Sequence, residues 1–478
     1  MLRKGAWWLA AALLVCAHTL SMQAQTRFNL RRDRLPAGTR WVQVDSITVS
    51  GNKKTKAFAI TREMTFQVGD SLPEPLLDSI LNWNQRLVYN LSLFNVVDFR
   101  PQVENRRLRL HIAVKERFFY LPEGSFYIED QTIIDWFRNP QWRRVTLSGG
   151  GQLQNLTGRN DGLYLNGSIG NTLGMMLRYR RPFLFPRARL DATFGLIVYQ
   201  TFEVSYGAEE GRVQRLRYKL SPLQRQFEGE FLLTRRFTQF HRLTFGVGYR
   251  YWQIADTLRL LAPEYLTTGT CVDHYPHFTV RFDVDRRNLR AFPTRGFRVL
   301  GGVQHFGLPG LGTALFAKFY GTFTYYSELG TSRWGMALGA IAATLVGRRV
   351  PFNEMFTFNR DFPLRGYEQY YIQGSTLVML KSEVRFAAVR RHMVSIRWLP
   401  RKFRDFPVGL YLYGWLDGGY INDFTRRFPD RRFHHQGLHA VGLGLIAPLI
   451  YDTVVRFEVG RNHLGQFSYQ LNFTLALQ

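Results

Sequence analysis

Two groups of histidines are the residues whose types and spacing could support catalysis or metal binding. His274 and His277 lie close to Cys271 and Asp273, and a second group combines three histidines with one acid. The members of the second group are Asp430, His434, His435 and His439. Imidazole and carboxylate groups at such spacing could serve as a general base or as metal ligands.

Other features of the sequence argue against catalysis. The chain contains neither a Gly-x-Ser-x-Gly nucleophile turn nor a His-Glu-x-x-His zinc motif, and both histidine groups lie in stretches that resemble loops. We therefore expect no catalytic residues, no metal site and no cofactor, and we predict that the protein is not an enzyme.

A single arginine in an apolar loop is a stronger candidate. Residues 358–367 place Arg365 and Gly366 among bulky apolar side chains, next to Tyr367. A buried guanidinium is costly unless it is paired, and its planar fork suits carboxylates. Glycine permits close approaches that other residues do not, and a buried tyrosine can pack its ring while its hydroxyl is hydrogen-bonded. This stretch therefore predicts a loop with a specific packing partner.

The charge balance of the chain is strongly basic. Its 478 residues include 63 Lys and Arg against 36 Asp and Glu, which gives a formal net charge of +27. Such basicity could indicate binding to nucleic acid or to an anionic membrane surface. The arginines are scattered, often beside aromatic residues, and no zinc-finger or helix-turn-helix pattern occurs. We therefore expect no nucleic-acid partner and assign the charge to a polar barrel lumen or a solvated rim.

The N-terminal residues predict export. Two basic residues precede a short apolar run, and small residues follow up to Ala24. This pattern predicts a secretory signal peptide over residues 1–25, followed by a flexible leader over residues 26–40. Cys271 is the one cysteine that remains after cleavage, so no internal disulfide is expected. The mature sequence has no apolar run near 18 residues, which excludes membrane-spanning helices but not membrane-spanning strands.

Residues 41–116 predict a small α+β domain with the order β-α-α-β-β. The strands are expected over residues 42–49, 96–103 and 108–114, and the helices over residues 55–64 and 73–89. We expect one sheet backed by two helices. The free backbone groups at the edge of a small sheet can accept a strand from another chain, although the domain could equally be a structural spacer.

Residues 145–478 predict a mainly β fold, a transmembrane barrel. Segments of about ten residues alternate apolar with small or polar side chains, as strands do that face lipid on one side and a polar lumen on the other. At roughly 20 residues per strand and connection, about 16 strands are expected. A soluble β-sandwich is the competing fold, but the signal peptide and the aromatic content of 15% favour the barrel. The aromatic-rich residues 117–144 are expected to form a junction.

Several short motifs resemble those of the BamA/TamA-type outer-membrane assembly and translocation family. Ser50-Gly51-Asn52, together with residues 91–97 (Leu-Ser-Leu-Phe-Asn-Val-Val), is similar to a POTRA domain, a periplasmic polypeptide-transport module. Residues 283–296, which end in Phe-Pro-Thr-Arg-Gly, resemble a hairpin that marks the barrels of this family. The family's (Val/Ile/Leu)-Arg-Gly-(Phe/Tyr) loop motif is matched by Leu364, Arg365, Gly366 and Tyr367.

The resemblance implies a place and partners for the loop arginine. In the family this motif belongs to a long extracellular loop that folds into the lumen, where acids of the barrel wall hold the arginine. Glu383 and Asp417 match those wall positions, so we expect Arg365 to pair with Asp417 and secondarily with Glu383. Unrelated charges on a solvated face are the alternative. The chain departs from the family at residues 359–360, where glycines are common, and at Gln478, where many outer-membrane barrels end on an aromatic residue.

The resemblance also implies a function and partners. The POTRA-like sheet edge, with Val96, Val97, Phe99 and Val103, would bind unfolded outer-membrane or exported polypeptides, which the barrel would insert or translocate. The implied location is the cell outer membrane with an N-terminal periplasmic domain, in contact with lipid, lipopolysaccharide and periplasmic accessory proteins. Two alternatives stay open. One is a two-partner-secretion exporter of a single client, which the single POTRA-like domain disfavours, and the other is a channel or adhesion barrel without insertase activity.

Overall fold

The computed structural model describes residues 38–128, 140, 142, 145–209, 212–218, 221–330, 333–358, 361–398, 400, 405–423, 433–449 and 453–475. The predicted signal peptide and most of the predicted leader lie outside the described residues. So do Asp430, Gln478 and residues 359–360, where the chain departs from the family motif.

The N-terminal part of the described chain forms the expected α+β unit. Its elements are β1 (Trp41–Ser50), α1 (Ala57–Thr61), β2 (Ser71–Pro73), a 3-10 turn (Glu74–Leu76), α2 (Leu77–Tyr89), β3 (Phe94–Glu104) and β4 (Arg107–Glu116). The sheet order is β2-β1-β4-β3, with β1 parallel to β4 and the other pairs antiparallel. The sequence did not predict β2, because three residues are too few to show an alternating pattern.

The hydrophobic core of this unit lies between α2 and the sheet. Ile80, Leu81 and Val88 are buried on one face of α2, at the spacing that a helix requires. Leu108 and Leu110 are buried at alternate positions of β4 and belong to the same cluster. The helical and the strand periodicities therefore bury their apolar side chains in one layer. In the sheet order β3 lies at an edge.

Sixteen strands form one antiparallel sheet, the predicted barrel, in the order β5–β9, β12–β17 and β20–β24. Their bounds are β5 Tyr120–Ile128, β6 Val145–Gln154, β7 Gly162–Gly170, β8 Thr172–Phe185, β9 Leu190–Thr201, β12 Gln224–Arg236, β13 His241–Ile254, β14 Val272–Asp285, β15 Gly296–Leu308, β16 Leu311–Leu329, β17 Trp334–Arg349, β20 Thr376–Ser395, β21 Asp405–Asn422, β22 Leu438–Pro448, β23 Thr453–Asn462 and β24 Phe467–Leu475. The remaining elements are β10 Glu203–Glu209, β11 Arg212–Arg217, α3 Asp256–Leu261, a 3-10 turn Phe352–Glu354, β18 Phe356–Thr357 and β19 Gln373–Gly374.

The barrel sheet begins earlier than the sequence predicts. β5 lies inside residues 117–144, which we expected to be a junction, and it pairs with β6 along its whole length. Pro122 and Gly124 hide its alternating pattern, because both residues usually mark turns. Proline is tolerated in a strand that is paired on one side only, and β5 is the first strand of the sheet.

Large apolar side chains cover the outside of the barrel. On β24, Phe467, Tyr469 and Leu471 are exposed at every second position, and Leu471 is 60% exposed. One single sheet with such an outer face is a lipid-facing surface, so the alternative of a soluble β-sandwich is wrong. Within the described part of the chain, no helix has the length and apolar character to cross a membrane.

The α+β unit is docked against the short turns at one end of the barrel. Trp83 of α2 packs on Phe240 in the β12–β13 turn, with ring centroids 5.7 Å apart. Nη1 of Arg236 donates to Oε1 of Glu63 at 3.1 Å, and Nδ2 of Asn90 donates to the carbonyl oxygen of a residue in the β14–β15 turn. These contacts hold the unit below the lumen.

Candidate functional site

The candidate site is the segment between β17 and β20, residues 350–375, which we call the arginine loop. It begins with the 3-10 turn, and β18 then pairs with β19 to close the base of the loop. It lies at the barrel end opposite the docked α+β unit, where the long connections occur, as extracellular loops do in outer-membrane barrels.

Apolar side chains of the arginine loop are packed against the barrel wall. Phe358, Leu364 and Tyr367 are each 0% exposed. Gly419 on β21 makes room for this packing, because a Cβ atom there would lie 2.8 Å from Cδ2 of Leu364. The hydroxyl of Tyr367 donates to the backbone oxygen of His439 at 3.0 Å, so the ring is buried without leaving its polar atom unpaired.

Gly366 is required at its position for two separate reasons. Its φ is +87°, a left-handed conformation that other residues adopt only with strain. A Cβ atom at this position would also lie 2.6 Å from Cβ of Ala440 on β22. The carbonyl oxygen of Gly366 accepts a hydrogen bond from Nδ2 of Asn462 at 2.8 Å, which fixes the backbone against the wall.

Arg365 lies at the centre of the site and is 6% exposed. Its Nε and Nη2 donate to Oδ2 and Oδ1 of Asp417 at 2.8 and 2.5 Å, a bidentate pair. Its Nη1 donates to Oε1 of Glu383 at 3.1 Å and to Oε1 of Glu458 at 3.0 Å. The guanidinium lies over the ring of Trp415, 4.4 Å from the centroid. The structure thus brings Arg365 together with both expected acids and adds a third.

Two further arginines share these acids. Nη2 of Arg385 donates to Oε2 of Glu383 at 2.6 Å, and Nη1 of Arg456 donates to Oε1 of the same carboxylate at 3.0 Å. Glu458 also accepts a hydrogen bond from the hydroxyl of Tyr413 at 2.5 Å. Three guanidiniums and three carboxylates therefore form one network without excess charge, and this pairing offsets the cost of burying them.

A second charge anchors the first half of the arginine loop. Glu354 is 3% exposed and contacts Nη1 of Arg250 on β13. Nζ of Lys318 on β16 donates to its Oε2 at 2.5 Å, and the hydroxyl of Tyr275 on β14 donates to its Oε1 at 3.2 Å. Arg250 is also bound by Glu228 at 2.8 Å. The polarity is the reverse of that around Arg365, because here an acid of the loop lies between bases of the wall.

The positions of the two anchors show that the arginine loop lies inside the lumen and contacts a wide arc of the barrel wall. The first anchor uses β13 and β16, and the second uses β20, β21 and β23. In the sheet order the strands of the two anchors are between two (β16 and β20) and eight (β13 and β23) strands apart. A segment that is bound at both anchors therefore covers a wide arc of the lumen wall.

Both loop charges are held in their ionised forms. Burial alone would lower the pKa of the Arg365 guanidinium, but Asp417, Glu383 and Glu458 raise it above its ordinary value. Burial alone would raise the pKa of the Glu354 carboxyl, but Arg250 and Lys318 lower it well below its ordinary value. Neither anchor is therefore released by a change of pH near neutrality.

Sequence reasoning missed Glu354 and Glu458. Glu458 had a detectable signal, because Arg456 and Glu458 flank the outward-facing Phe457 and so share the lumen face of β23. Glu383 and Arg385 repeat that spacing on β20. Glu354 had no such signal, because it lies in a 3-10 turn whose orientation depends on tertiary contacts.

The two histidine groups do not converge on a reactive arrangement within the described residues. Asp273 accepts hydrogen bonds from the loop residues Thr267 and Thr268, and His277 packs on Phe306. In the second group, Nε2 of His434 lies 2.8 Å from the backbone oxygen of Gln373, at the base of the arginine loop.

The structure places the predicted client-binding residues on β3. Val97 and Phe99 point into the core of the α+β unit, and Val96 is half-buried. The backbone oxygen of Val97 accepts a hydrogen bond from Nε2 of Gln85 at 2.6 Å, so that part of the edge is occupied. Val103 is 45% exposed and lies in the outer half of β3, which is the accessible part of the edge.

The first and last barrel strands define a seam. Their described parts are β5 Tyr120–Ile128 and β24 Phe467–Leu475. Each of the two has one hydrogen-bonded neighbour, β6 and β23 respectively, and no backbone pairing joins β5 to β24 among the residues that the structure describes. The seam is therefore the line where the described wall lacks backbone pairing.

Comparisons with known proteins identify the family. Residues 155–395 match the model of the Omp85 superfamily domain, so the chain belongs to the Omp85 superfamily and the predicted resemblance is confirmed. The function class of this superfamily, and of this chain, is insertion of proteins into the outer membrane or translocation of polypeptides across it.

Two solved structures share the fold. BamA from Haemophilus ducreyi lacking POTRA domains 1-3 is 14% identical, with a TM-score of 0.50 and coverage of 92% of this chain and 84% of that one. CdiB from Escherichia coli is 12% identical, with a TM-score of 0.50 and coverage of 97% and 96%. A search of curated proteins found no match.

Replacing Arg365 by alanine tests the main anchor. Arg365→Ala leaves Asp417 buried without its cation, and we expect a loss of about 3–5 kcal/mol of anchoring free energy. The folded barrel should unfold at a lower temperature in gel-shift (heat-modifiability) assays, and added protease should cleave the arginine loop. Arg461→Ala, which changes an exposed arginine of β23, is the control. Unchanged heat-modifiability and protease resistance in Arg365→Ala would show that Arg365 does not anchor the arginine loop.

Replacing Glu354 by glutamine tests the second anchor. Glu354→Gln keeps the shape of the side chain but leaves Lys318 without its acid, which should weaken this half of the loop by roughly 2–4 kcal/mol. Hydrogen–deuterium exchange should become faster over residues 350–357 and stay slow over residues 364–372, where the Arg365 network is intact. Glu104→Gln, at an exposed acid of β3, should change neither region. If hydrogen–deuterium exchange became faster by the same factor in both regions, the two anchors would not be separate.

Proposed function

We propose that this protein inserts unfolded polypeptides into the outer membrane at the seam between β5 and β24. The observation that carries the proposal is that, in the part of the chain that the structure describes, each of these two strands is paired on one side only. A strand with free N–H and C=O groups is a template for pairing with an incoming strand. A client that adds strands there can pass sideways into lipid without leaving its backbone groups unpaired.

The occupied lumen supports insertion over the alternatives. The arginine loop is bound to the barrel wall at two buried anchors, and the α+β unit is docked below it. The arginine loop and the α+β unit would both have to move before the lumen could form an open channel. Export of a single client through the lumen, the second candidate, would require release of two buried charge networks, each of which costs several kcal/mol to break.

The α+β unit is proposed to act as the periplasmic client-binding module. Its accessible edge is the outer half of β3, where Val103 and its neighbours are exposed. Binding by strand addition uses backbone groups and so accepts many sequences, which suits an insertase with several clients. Lipid, lipopolysaccharide and periplasmic accessory proteins are proposed as further partners, and we propose no catalytic role for any residue.

Closing the seam with a disulfide tests the insertion step. In a Cys271→Ser background, Ser125→Cys on β5 is combined with Ser468→Cys, Gln470→Cys or Asn472→Cys on β24. In vesicles that carry the full chain, the pair that oxidises should stop insertion of an unfolded barrel client, and reduction should restore it. The control pair Val459→Cys and Tyr469→Cys joins register partners on β23 and β24 and should leave insertion unchanged. A locked seam with normal insertion would contradict the proposal, and a locked seam that still delivers clients across the membrane would favour export.

A photocrosslinker at Val103 tests client binding by the α+β unit. In cells, adducts with outer-membrane polypeptides should form at this position because it lies on the accessible edge. The control position is Val68, which is 54% exposed but lies in the connection between α1 and β2. Equal capture at both positions, or none at Val103, would remove the client-binding role of β3.

A further inference from the structure

A cavity of about 640 Å³ lies between the α+β unit and the barrel, and we call it the vestibule. Leu87 and Leu91 of the α+β unit form part of its lining, and Leu121 of β5 and Met176 of β8 form another part. The vestibule therefore adjoins both the unit that carries β3 and the strand that forms one side of the seam. Its volume is within the range of ligand-binding pockets.

Arginines dominate the charged lining of the vestibule. Arg178 and Arg180 project from β8, Arg242 projects from β13, and Arg290 lies in the β14–β15 turn. Among the residues that the structure describes, no carboxylate lies within salt-bridge distance of the first three guanidiniums. Arg290 has a long contact of 3.6 Å with Asp285. These four side chains are exposed or half-exposed and line the cavity, and the donors of Arg178, Arg180 and Arg242 have no carboxylate partner there.

The charges in the vestibule are out of balance. Five arginines and three acids line it, and one of those arginines, Arg236, is already bonded to Glu63 and Asp191. The excess of two positive charges contrasts with the neutral network around Arg365. Guanidiniums that converge on a confined space repel one another, and an anion that accepts their paired N–H groups relieves this repulsion.

We propose that the vestibule binds the carboxylate side chains of an acidic client segment on its way from β3 to the seam. This inference rests on the proposed insertion function and names a class of client for it. A polypeptide is favoured over a lipid headgroup because the vestibule adjoins the α+β unit and β5 at once, and because leucines lie among the arginines. An extended segment that alternates acidic and apolar residues presents both kinds of side chain to such a lining.

The experiment measures peptide binding to the full chain in detergent. The probe is a short, fluorescently labelled peptide that alternates aspartate with valine, and its control has asparagine in place of aspartate. Fluorescence anisotropy should show binding of the aspartate peptide that weakens as salt is added. Arg180→Gln and Arg242→Gln should each weaken binding by about tenfold, since each removes one charged hydrogen-bond partner. Gel-shift assays on the same samples report whether each variant barrel is folded.

Arg181→Gln is the matched control, because it removes the same charge from the next residue of β8, which does not line the vestibule. Equal affinity for the aspartate and asparagine peptides, or unchanged affinity in folded Arg180→Gln, would overturn the proposal. Binding of short-chain phosphatidylglycerol without binding of the aspartate peptide would also overturn it and would assign the vestibule to lipid. If the peptide does not bind but Val103 still crosslinks to clients and the seam disulfide still stops insertion, the insertion function stands without the vestibule proposal. If the seam disulfide does not stop insertion, the insertion function itself is wrong.

Discussion

The buried ion pair between Arg365 and Asp417 is the constraint on which the rest of the lumen depends. A guanidinium removed from water must have carboxylates around it, and three strands supply them. The same requirement fixes the backbone of the arginine loop so closely that Gly366 has no room for a Cβ atom. One polar interaction thus dictates the apolar packing around it.

The opposite polarity of the two anchors gives the arginine loop a direction. An acid lies at its beginning and a base at its middle, and the wall carries the complementary charges on two separate sets of strands. A loop that entered the lumen the other way round would place like charges together, at a cost of several kcal/mol. We infer that charge complementarity selects one path of the loop, while apolar contacts such as Leu364 against Gly419 stabilise that path.

Much of this fold follows from local patterns, and the parts that do not follow have physical reasons. Alternation along β24 and helical spacing along α2 predict their elements because each has one apolar face. The pattern fails for β5, because Pro122 and Gly124 usually mark turns, and the one-sided pairing that makes a proline acceptable in a strand is a tertiary property. The partners of Arg365 were predictable from the motif and the family resemblance. Glu354 was not, because its neighbours Arg250 and Lys318 lie far away in the sequence and meet it only when the barrel closes.

The unequal strand lengths have a consequence for the surrounding lipid. β7 has nine residues and β23 has ten, whereas β16 has 19 and β20 has 20. At about 3.3 Å per residue and a tilt of about 45°, a strand of ten residues spans roughly 23 Å along the membrane normal. This is close to the ~25 Å apolar band of outer-membrane barrels, so strands of this length span the bilayer without a surplus. The 19 and 20 residues of β16 and β20 exceed this span, so the barrel wall rises least above the lipid on the side where β5 and β24 meet.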